Sequence, residues 1–178
     1  MPILKKLFSD VYLIKNNFQN DKRGQFIKFN QEIKIKNQKI KFNQFCYSLN
    51  KKKYTLRGIH FQKFPSQERK LITCVHGKIL DVVVDLDKKS KTYLKHKFIN
   101  LNNNNMYSLY LGKNYAHGFL TLTDKTIILY QINAPYIKSK QSGLLWNDPL
   151  LNIKWPNKPK VISFRDMNFK KIKLREKY

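Results

Sequence analysis

The chain has 178 residues, of which 42% are hydrophobic and 13% aromatic, a length and composition typical of one domain with a packed core and not of a disordered protein. Its 6 glycines and 6 prolines are too few for a collagen-like or linker-like chain. The formal net charge of +25 comes mainly from lysines spread along the chain, which indicates a solvated surface that favours an anionic substrate, with no nucleic-acid partner.

The N-terminal stretch carries lysines but has neither a long apolar segment nor a small-residue cleavage site, so it predicts no signal peptide. A short helix is predicted over residues 2–7, and no apolar run in the sequence is long enough to insert across a membrane. Cys46 and Cys74 are too few for a disulfide framework, and we expect both to be reduced and unpaired in a cytoplasmic protein.

Short strands separated by polar turns occupy the centre of the chain. Residues 71–76 and 79–86 are rich in aliphatic and β-branched side chains, and Gly77 lies in the turn that joins them. Further strands are predicted at 107–111, 117–122 and 126–132, with turns at 88–91, 102–105 and 123–125. This pattern predicts an all-β sandwich or barrel. A second short helix is predicted at 147–153, and the basic residues from about 168 to 178 are expected to form a helical or frayed tail.

Two histidines lie in strand-like segments that mix glycine, aromatic and polar residues: His60 in RGIHFQ and His117 in YAHGF. One such histidine is more often a buried structural group than a catalyst, but two of them in a small β-barrel indicate a pocket. His76 lies beside a turn glycine and His96 in a charged stretch, and neither is assigned a role.

The sequence predicts no metal site. Gln62 follows His60 two residues later, so the His-x-His pair that is common in barrel metal sites is absent. A glycine-rich phosphate loop, a serine nucleophile elbow and a dinucleotide fingerprint are also absent. What remains is acid–base chemistry by a neutral histidine whose tautomer is fixed by a carboxylate. Asp81, Asp85 and Asp166 are the candidates for that carboxylate, and the pattern does not choose among them.

Several motifs then occur in an order that is far more specific than any one of them. They are D-x-R-G-x-F at 21–26, RGIHFQ at 57–62, KL at 70–71, DVVVD at 81–85, AHGF at 116–119, GLLWNDP at 143–149 and IKWP at 153–156. Together they resemble the dTDP-4-dehydrorhamnose 3,5-epimerases, the RmlC-type nucleotide-sugar epimerases of the cupin superfamily. The resemblance runs from about residue 18 to about residue 166.

The resemblance implies a single cupin domain over residues 1–178, built as an antiparallel jelly-roll β-barrel with short peripheral helices. It implies a cytoplasmic homodimer that needs no cofactor and acts in dTDP-rhamnose and polysaccharide biosynthesis. The implied reaction epimerises a nucleoside-diphosphate 4-keto-6-deoxy sugar, by removing protons at C3 and C5 to give an enolate and returning them on the opposite face.

The resemblance also implies two sets of site residues. The catalytic set consists of His60 as the base, Asp166 as the carboxylate that holds it, Tyr136 as the acid and Lys70 as the group that stabilises charge on the C4 oxygen. The substrate-binding set consists of Arg23, Phe26, Gln44, Arg57, His117 and Tyr130. Within the second set, Arg23 and Phe26 are expected to reach into the site of a partner subunit.

Three of the positions that depart from the family pattern touch substrate contacts: Lys28 and Gln141 each stand in place of an acidic residue, and Cys46 stands in place of an amide. Because these positions touch substrate contacts, the sugar, the nucleotide and the number of epimerised centres stay open. The alternatives are a single-position epimerase at C3 or C5, a keto-isomerase on a related nucleotide sugar, and a non-catalytic cupin sugar-binding module.

Overall fold

The computed structural model describes residues 2–172, and most of its regular structure is β-strand. The strands are β1 (Ile3–Phe8), β2 (Val11–Lys15), β3 (Phe18–Asp21), β4 (Gly24–Ile27), β5 (Glu32–Ile35), β6 (Gln38–Lys41), β7 (Gln44–Asn50), β8 (Thr55–Gln62), β9 (Lys70–His76), β10 (Lys78–Asp85), β11 (His96–Asn102), β12 (Tyr107–Leu111), β13 (Tyr115–Thr121), β14 (Thr126–Ile132), β15 (Gln141–Gly143) and β16 (Val161–Ile162). A 3-10 turn covers Lys138–Lys140, and the helix α1 covers Phe164–Met167.

Most of these strands form two antiparallel sheets. The first sheet has the strand order β1-β2-β12-β9-β14-β7, and the second has the order β11-β10-β13-β8-β15, with β16 added in parallel beside β8. The hairpins β3–β4 and β5–β6 are separate two-stranded sheets. The all-β antiparallel architecture that the sequence predicts is therefore present.

A hydrophobic core fills the space between the two sheets. Ile72 and Leu109 of the first sheet belong to the same buried cluster as Val83 and Phe119 of the second. Strand β9 alternates between faces, as a pleated strand must, and this places Ile72 and Cys74 in the core. Lys70 follows the same alternation and points between the sheets, near the end of the core where a cavity opens.

The outer faces of both sheets are covered as well. The hairpin β5–β6 packs against β2, β9 and β12, and the segment after β15 packs Leu144, Leu151 and Ile153 against the second sheet. The continuous apolar run in β10 follows from this double coverage, because Val83 faces the core while Val82 and Val84 face the outer cluster.

The predicted strands at 107–111 and 126–132 match β12 and β14 residue for residue, whereas both predicted helices are wrong. Residues 2–7 fall largely in β1, which forms a hairpin with β2 and buries Leu7 and Phe8 at its end. Residues 147–153 form turns, because Leu151 and Ile153 are drawn into the cluster on the second sheet. Of the predicted tail, 168–172 continue without regular structure, and 173–178 lie outside the described residues.

Two further observations bear on the sequence predictions. Cys46 and Cys74 are free thiols, the first exposed and the second buried. Across residues 2–172 we find no helix that combines the length and the apolar character needed to cross a membrane.

Candidate active site

A cavity of about 350 Å³ opens between the two sheets, beside the edge strand β7 of the first and the interior strand β8 of the second. The predicted residues that line it are Gln44, Arg57, His60, Lys70, His117, Tyr130 and Tyr136. The two walls come from different sheets: β8 and β13 carry Arg57, His60 and His117, whereas β7, β9 and β14 carry Gln44, Lys70 and Tyr130. A ligand in this cavity is therefore held between two sets of polar groups on opposite sides.

A β-bulge in β8 brings Arg57 and His60 to the same wall. In a regular strand, residues three apart point to opposite faces. Here His60 pairs with His117 and Arg57 pairs with Phe119, so three residue steps along β8 lie opposite two residue steps along β13. The additional residue turns both side chains inward. Gly58 lies within this bulge, and glycine inside a strand is a known signal for one.

Only glycine fits this bulge without strain. Gly58 has a φ of +120°, and a Cβ built on it would lie 2.5 Å from the Cα of Gly118 and 2.9 Å from the carbonyl oxygen of His117. We therefore expect Gly58→Ala to lose about 1–3 kcal/mol of unfolding free energy from overpacking, in addition to the strain of its backbone. Chemical denaturation of the purified protein measures this loss.

Gly24 supplies the matched control for that substitution. Its φ of +124° is nearly the same, but a Cβ there would meet nothing within 4 Å. Gly24→Ala carries the backbone strain without the overlap, so it should be the milder change. Equal losses for the two variants would show that the contact with Gly118 does not matter.

The His60 imidazole is bonded to a buried carboxylate. Its Nε2 lies 2.8 Å from Oδ1 of Asp166, whose side chain is 3% exposed. The other oxygen, Oδ2, accepts the backbone N–H of Gly58 at 3.0 Å, so the bulge also anchors the carboxylate. Asp166 lies in α1, where its own N–H donates to the capping Ser163 hydroxyl. Of the three aspartates that the sequence left open, Asp166 is the one bonded to His60.

The surroundings of Asp166 keep it ionised. Burial alone would raise the pKa of this carboxyl, but the hydrogen bond and charge of His60, the N–H of Gly58 and the Arg165 guanidinium together lower the pKa below its usual value. An ionised Asp166 accepts a hydrogen bond from the Nε2–H group, so the basic nitrogen of a neutral His60 is Nδ1. The Phe169 ring packs edge-on against the imidazole, with the ring centroids 5.9 Å apart.

The other two aspartates have different partners. Asp81 is fully buried, and its Oδ2 lies 3.2 Å from Nδ1 of His117. Burial raises the pKa of Asp81 well above its usual value and lowers the pKa of His117 well below its usual value, so burial favours the neutral form of both groups. Asp85 accepts the Thr92 hydroxyl and the N–H of Asp87, which orders the turn after β10.

Lys70 is paired with Glu68, a cavity residue that the sequence analysis missed. Its Nζ lies 2.6 Å from Oε1 of Glu68, and the two side chains are 14% and 11% exposed. Glu68 lies two residues before Lys70, and in an extended chain residues two apart share a face. That spacing is the signal that could have found it.

Tyr130 and Tyr136 occupy different parts of the cavity. Tyr130 projects from β14 and packs against the core, 6.3 Å from His117 between ring centroids, and burial raises its pKa. Tyr136 lies at the rim and is 55% exposed, and its hydroxyl donates to Oε1 of Gln141 at 2.7 Å. The same Gln141 oxygen accepts Nη1 of Arg165 at 2.6 Å.

Three predicted residues do not line this cavity: Asp166, which is bonded to the cavity residue His60, and Arg23 and Phe26. The last two lie on the exposed hairpin β3–β4, where the Arg23 guanidinium pairs with Asp21 at 2.7 Å and Phe26 is 66% exposed. Among the departures from the family pattern, Cys46 and Gln141 line the cavity and Lys28 is exposed just after β4. Within the part of the chain that the structure describes, no three His, Cys, Asp or Glu side chains come together as a metal site.

Comparison with known proteins places this geometry in a family. A model of the dTDP-4-dehydrorhamnose 3,5-epimerase family matches residues 5–173. The Shigella flexneri dTDP-4-dehydrorhamnose 3,5-epimerase is 35% identical over 175 residues, which are 97% of this chain and 96% of that protein.

Solved structures agree with the sequence match. The Bacillus anthracis dTDP-4-dehydrorhamnose 3,5-epimerase, solved with TDP and PPi bound, superposes with a TM-score of 0.89 at 34% identity, over 96% of this chain and 99% of that one. The Legionella pneumophila enzyme in complex with dTDP-4-keto-L-rhamnose gives a TM-score of 0.82 at 25% identity, over 93% and 89% of the chains. These matches confirm the predicted cupin jelly-roll barrel, and the chain belongs to the dTDP-4-dehydrorhamnose 3,5-epimerase family.

Proposed function

We propose that the chain is an isomerase that epimerises C3 and C5 of a dTDP-4-keto-6-deoxy sugar without a cofactor. The observation that carries this proposal is the bond of 2.8 Å between His60 and the ionised Asp166, at the wall of a cavity between the sheets. The names of the relatives support it, as does the keto-sugar nucleotide held by the Legionella enzyme.

The chemistry follows from the groups on the two walls. A keto group at C4 acidifies the protons at C3 and C5, and Nδ1 of His60 accepts one of them as its C–H bond breaks. The electron pair of that bond moves to form an enolate whose charge lies on the C4 oxygen. The Lys70 ammonium stabilises this charge, and Asp166 stabilises the imidazolium. A proton returned to the carbon from the opposite face restores the ketone with inverted configuration.

Two tyrosines are candidates for the donor of that second proton. The family resemblance implies Tyr136, but its hydroxyl is bonded to Gln141 at the cavity rim. Tyr130 comes from the first sheet, across the cavity from His60 on the second, and its raised pKa keeps the hydroxyl protonated. This opposite placement supports Tyr130 as the donor, with Tyr136 in contact with the substrate at the mouth.

The remaining polar residues suit the anionic part of the substrate. Arg57 lies on the His60 wall, where its Nε donates to Asn50 at 2.7 Å, and a guanidinium is suited to bind the oxygens of a diphosphate. Gln44 and His117 add hydrogen-bonding groups on opposite walls. The two free thiols support a reducing, cytoplasmic compartment.

Incubation with dTDP-4-keto-6-deoxyglucose in D₂O tests this function. We expect deuterium to enter at both C3 and C5 and the sugar product to be inverted at both carbons. Deuterium at one carbon alone would identify a single-position epimerase. Binding of the nucleotide sugar without any exchange would leave the sugar-binding module as the function and would overturn the proposal.

The protein acts as a homodimer in this proposal, with Arg23 and Phe26 completing the site of the partner. Two exposed features support it. The hairpin β3–β4 is exposed along nearly its whole length, including Phe18 and Phe26, and the edge strand β7 turns apolar side chains outward. The outward residues of β7 are Phe45, Tyr47 and Leu49. Exposed apolar patches of this kind mark interaction surfaces.

Subunit complementation checks the shared site. Two variants are prepared: one carries both Arg23→Ala and Phe26→Ala, and the other carries His60→Asn. Each should be inactive by itself at substrate concentrations below the wild-type KM. After unfolding and refolding together, half of the dimers are mixed, and each mixed dimer has one complete site. We therefore expect about a quarter of the wild-type activity to return. A mixture that stays inactive would show that each site is built from one chain.

A further inference from the structure

The buried side-chain amide of Gln62 makes three hydrogen bonds beside the cavity, to Glu68, Pro135 and Ile137. Gln62 is 4% exposed and lies two residues after His60 on β8. Its Oε1 accepts the backbone N–H of Ile137 at 2.9 Å, and its Nε2 donates to the carbonyl oxygen of Pro135 at 3.2 Å. These two bonds hold the residues on either side of Tyr136.

The same amide also reaches the charged pair on the opposite wall. Nε2 of Gln62 donates to Oε2 of Glu68 at 3.1 Å, while Oε1 of Glu68 pairs with the Lys70 ammonium at 2.6 Å. An ammonium has three donors, so Lys70 keeps two for a substrate oxygen after it has bonded to Glu68. The bond from Gln62 fixes the carboxylate, and the carboxylate fixes the ammonium.

We propose that Gln62 is a positioning residue for the epimerisation. Through Glu68 it fixes the position of Lys70 relative to His60, which lies on the same strand as Gln62. Through the backbone of Pro135 and Ile137 it fixes the position of Tyr136. This inference rests on the proposed function. An amide is suited to the task because it offers one acceptor and two donors in a single plane, and all three bonds are made here.

Gln62→Met tests the proposal because methionine keeps the length and volume of the side chain and loses the three hydrogen bonds. A displacement of about 1 Å in a catalytic group costs roughly 100-fold in rate, so we expect kcat to fall about 10- to 100-fold with little change in KM. The matched control is Gln67→Met, on the same loop as Glu68, where the amide bonds only to the exposed Asn114 side chain among the described residues. The control should keep the wild-type kcat.

A double variant separates positioning from general damage. If Gln62 acts on Lys70 through Glu68, then Gln62→Met and Glu68→Gln disturb one common path. The fold-loss of kcat in the double variant should then be well below the product of the fold-losses in the two single variants. Losses that multiply, or a Gln62→Met enzyme with wild-type kcat, would overturn the proposal.

A second measurement does not depend on turnover. Acetic anhydride labels lysines, and mass spectrometry gives the labelling rate of Lys70 alone. A loosened ammonium should react several-fold faster in Gln62→Met than in the wild type or in Gln67→Met. A wild type without epimerase activity would refute the proposed function. An unchanged labelling rate of Lys70 in Gln62→Met would refute the positioning of Lys70, whether or not the wild type is active.

Discussion

The His60→Asn variant should lose nearly all deuterium exchange at C3 and C5, with kcat reduced by about 10²- to 10⁴-fold. Asparagine can still donate a hydrogen bond toward Asp166, but its amide has no basic nitrogen to accept a carbon-bound proton. Both exchange reactions begin with that proton transfer, so both should fall together. The measurement is the rate of deuterium incorporation at each carbon, read by NMR.

His76→Asn is the control for this change, because His76 is exposed and lies at the far end of β9 from the cavity. It should exchange like the wild type. The His60→Asn protein should keep its melting temperature and its affinity for dTDP, because the imidazole is in the wall of the cavity and not in the core. A folded His60→Asn protein that exchanges at the wild-type rate would remove His60 as the base.

Asp166 stays ionised although its carboxylate is buried. A buried carboxylate without partners would take up a proton. Here the hydrogen bonds from His60 and Gly58 and the charge of Arg165 outweigh burial and lower its pKa. The contribution of this ionised carboxylate to stability is present above its unfolded pKa and is lost as the pH falls through the folded value. The orientation of His60 depends on the same ionisation, so catalysis and local stability should fail together in acid.

The strands with clear alternation or β-branched runs were predictable from the sequence. Strand β12 matches the prediction because Leu109 and Leu111 face the core while the turn asparagines before it end the preceding strand. The family resemblance carried by the ordered motifs also predicted several of the residues that line the cavity, among them Arg57, His60 and His117. RGIHFQ and AHGF predict neighbouring residues because they mark β8 and β13, which pair with each other in the second sheet.

Other parts of the site depend on three-dimensional contacts that no local pattern contains. The bulge at Gly58 is defined by its partner strand, because the count of three residues against two exists only once β8 and β13 are paired. The choice of Asp166 over Asp81 depends on a contact 106 residues along the chain. The short helix predicted at 147–153 failed for the same reason, since packing on the second sheet overrode local propensity.

Tyr130→Phe should separate proton removal from inversion. If Tyr130 donates the proton on the face opposite His60, its loss leaves the base intact. His60 can still remove a proton and return a deuteron to the same face, so exchange without inversion should persist. Formation of the inverted sugar should fall by about 10²- to 10⁴-fold. Tyr136→Phe, which removes one hydroxyl at the rim, is the matched variant and should raise KM more than it lowers kcat.

The opposite result would assign the proton donor to the rim. If Tyr136→Phe loses inversion while Tyr130→Phe keeps it, then Tyr136 must leave its bond to Gln141 and turn into the cavity when the substrate binds. The decisive measurement is the ratio of exchange to inversion in each variant, because that ratio does not depend on the amount of folded protein. A tyrosine that only shapes the cavity lowers both rates equally and leaves the ratio at its wild-type value.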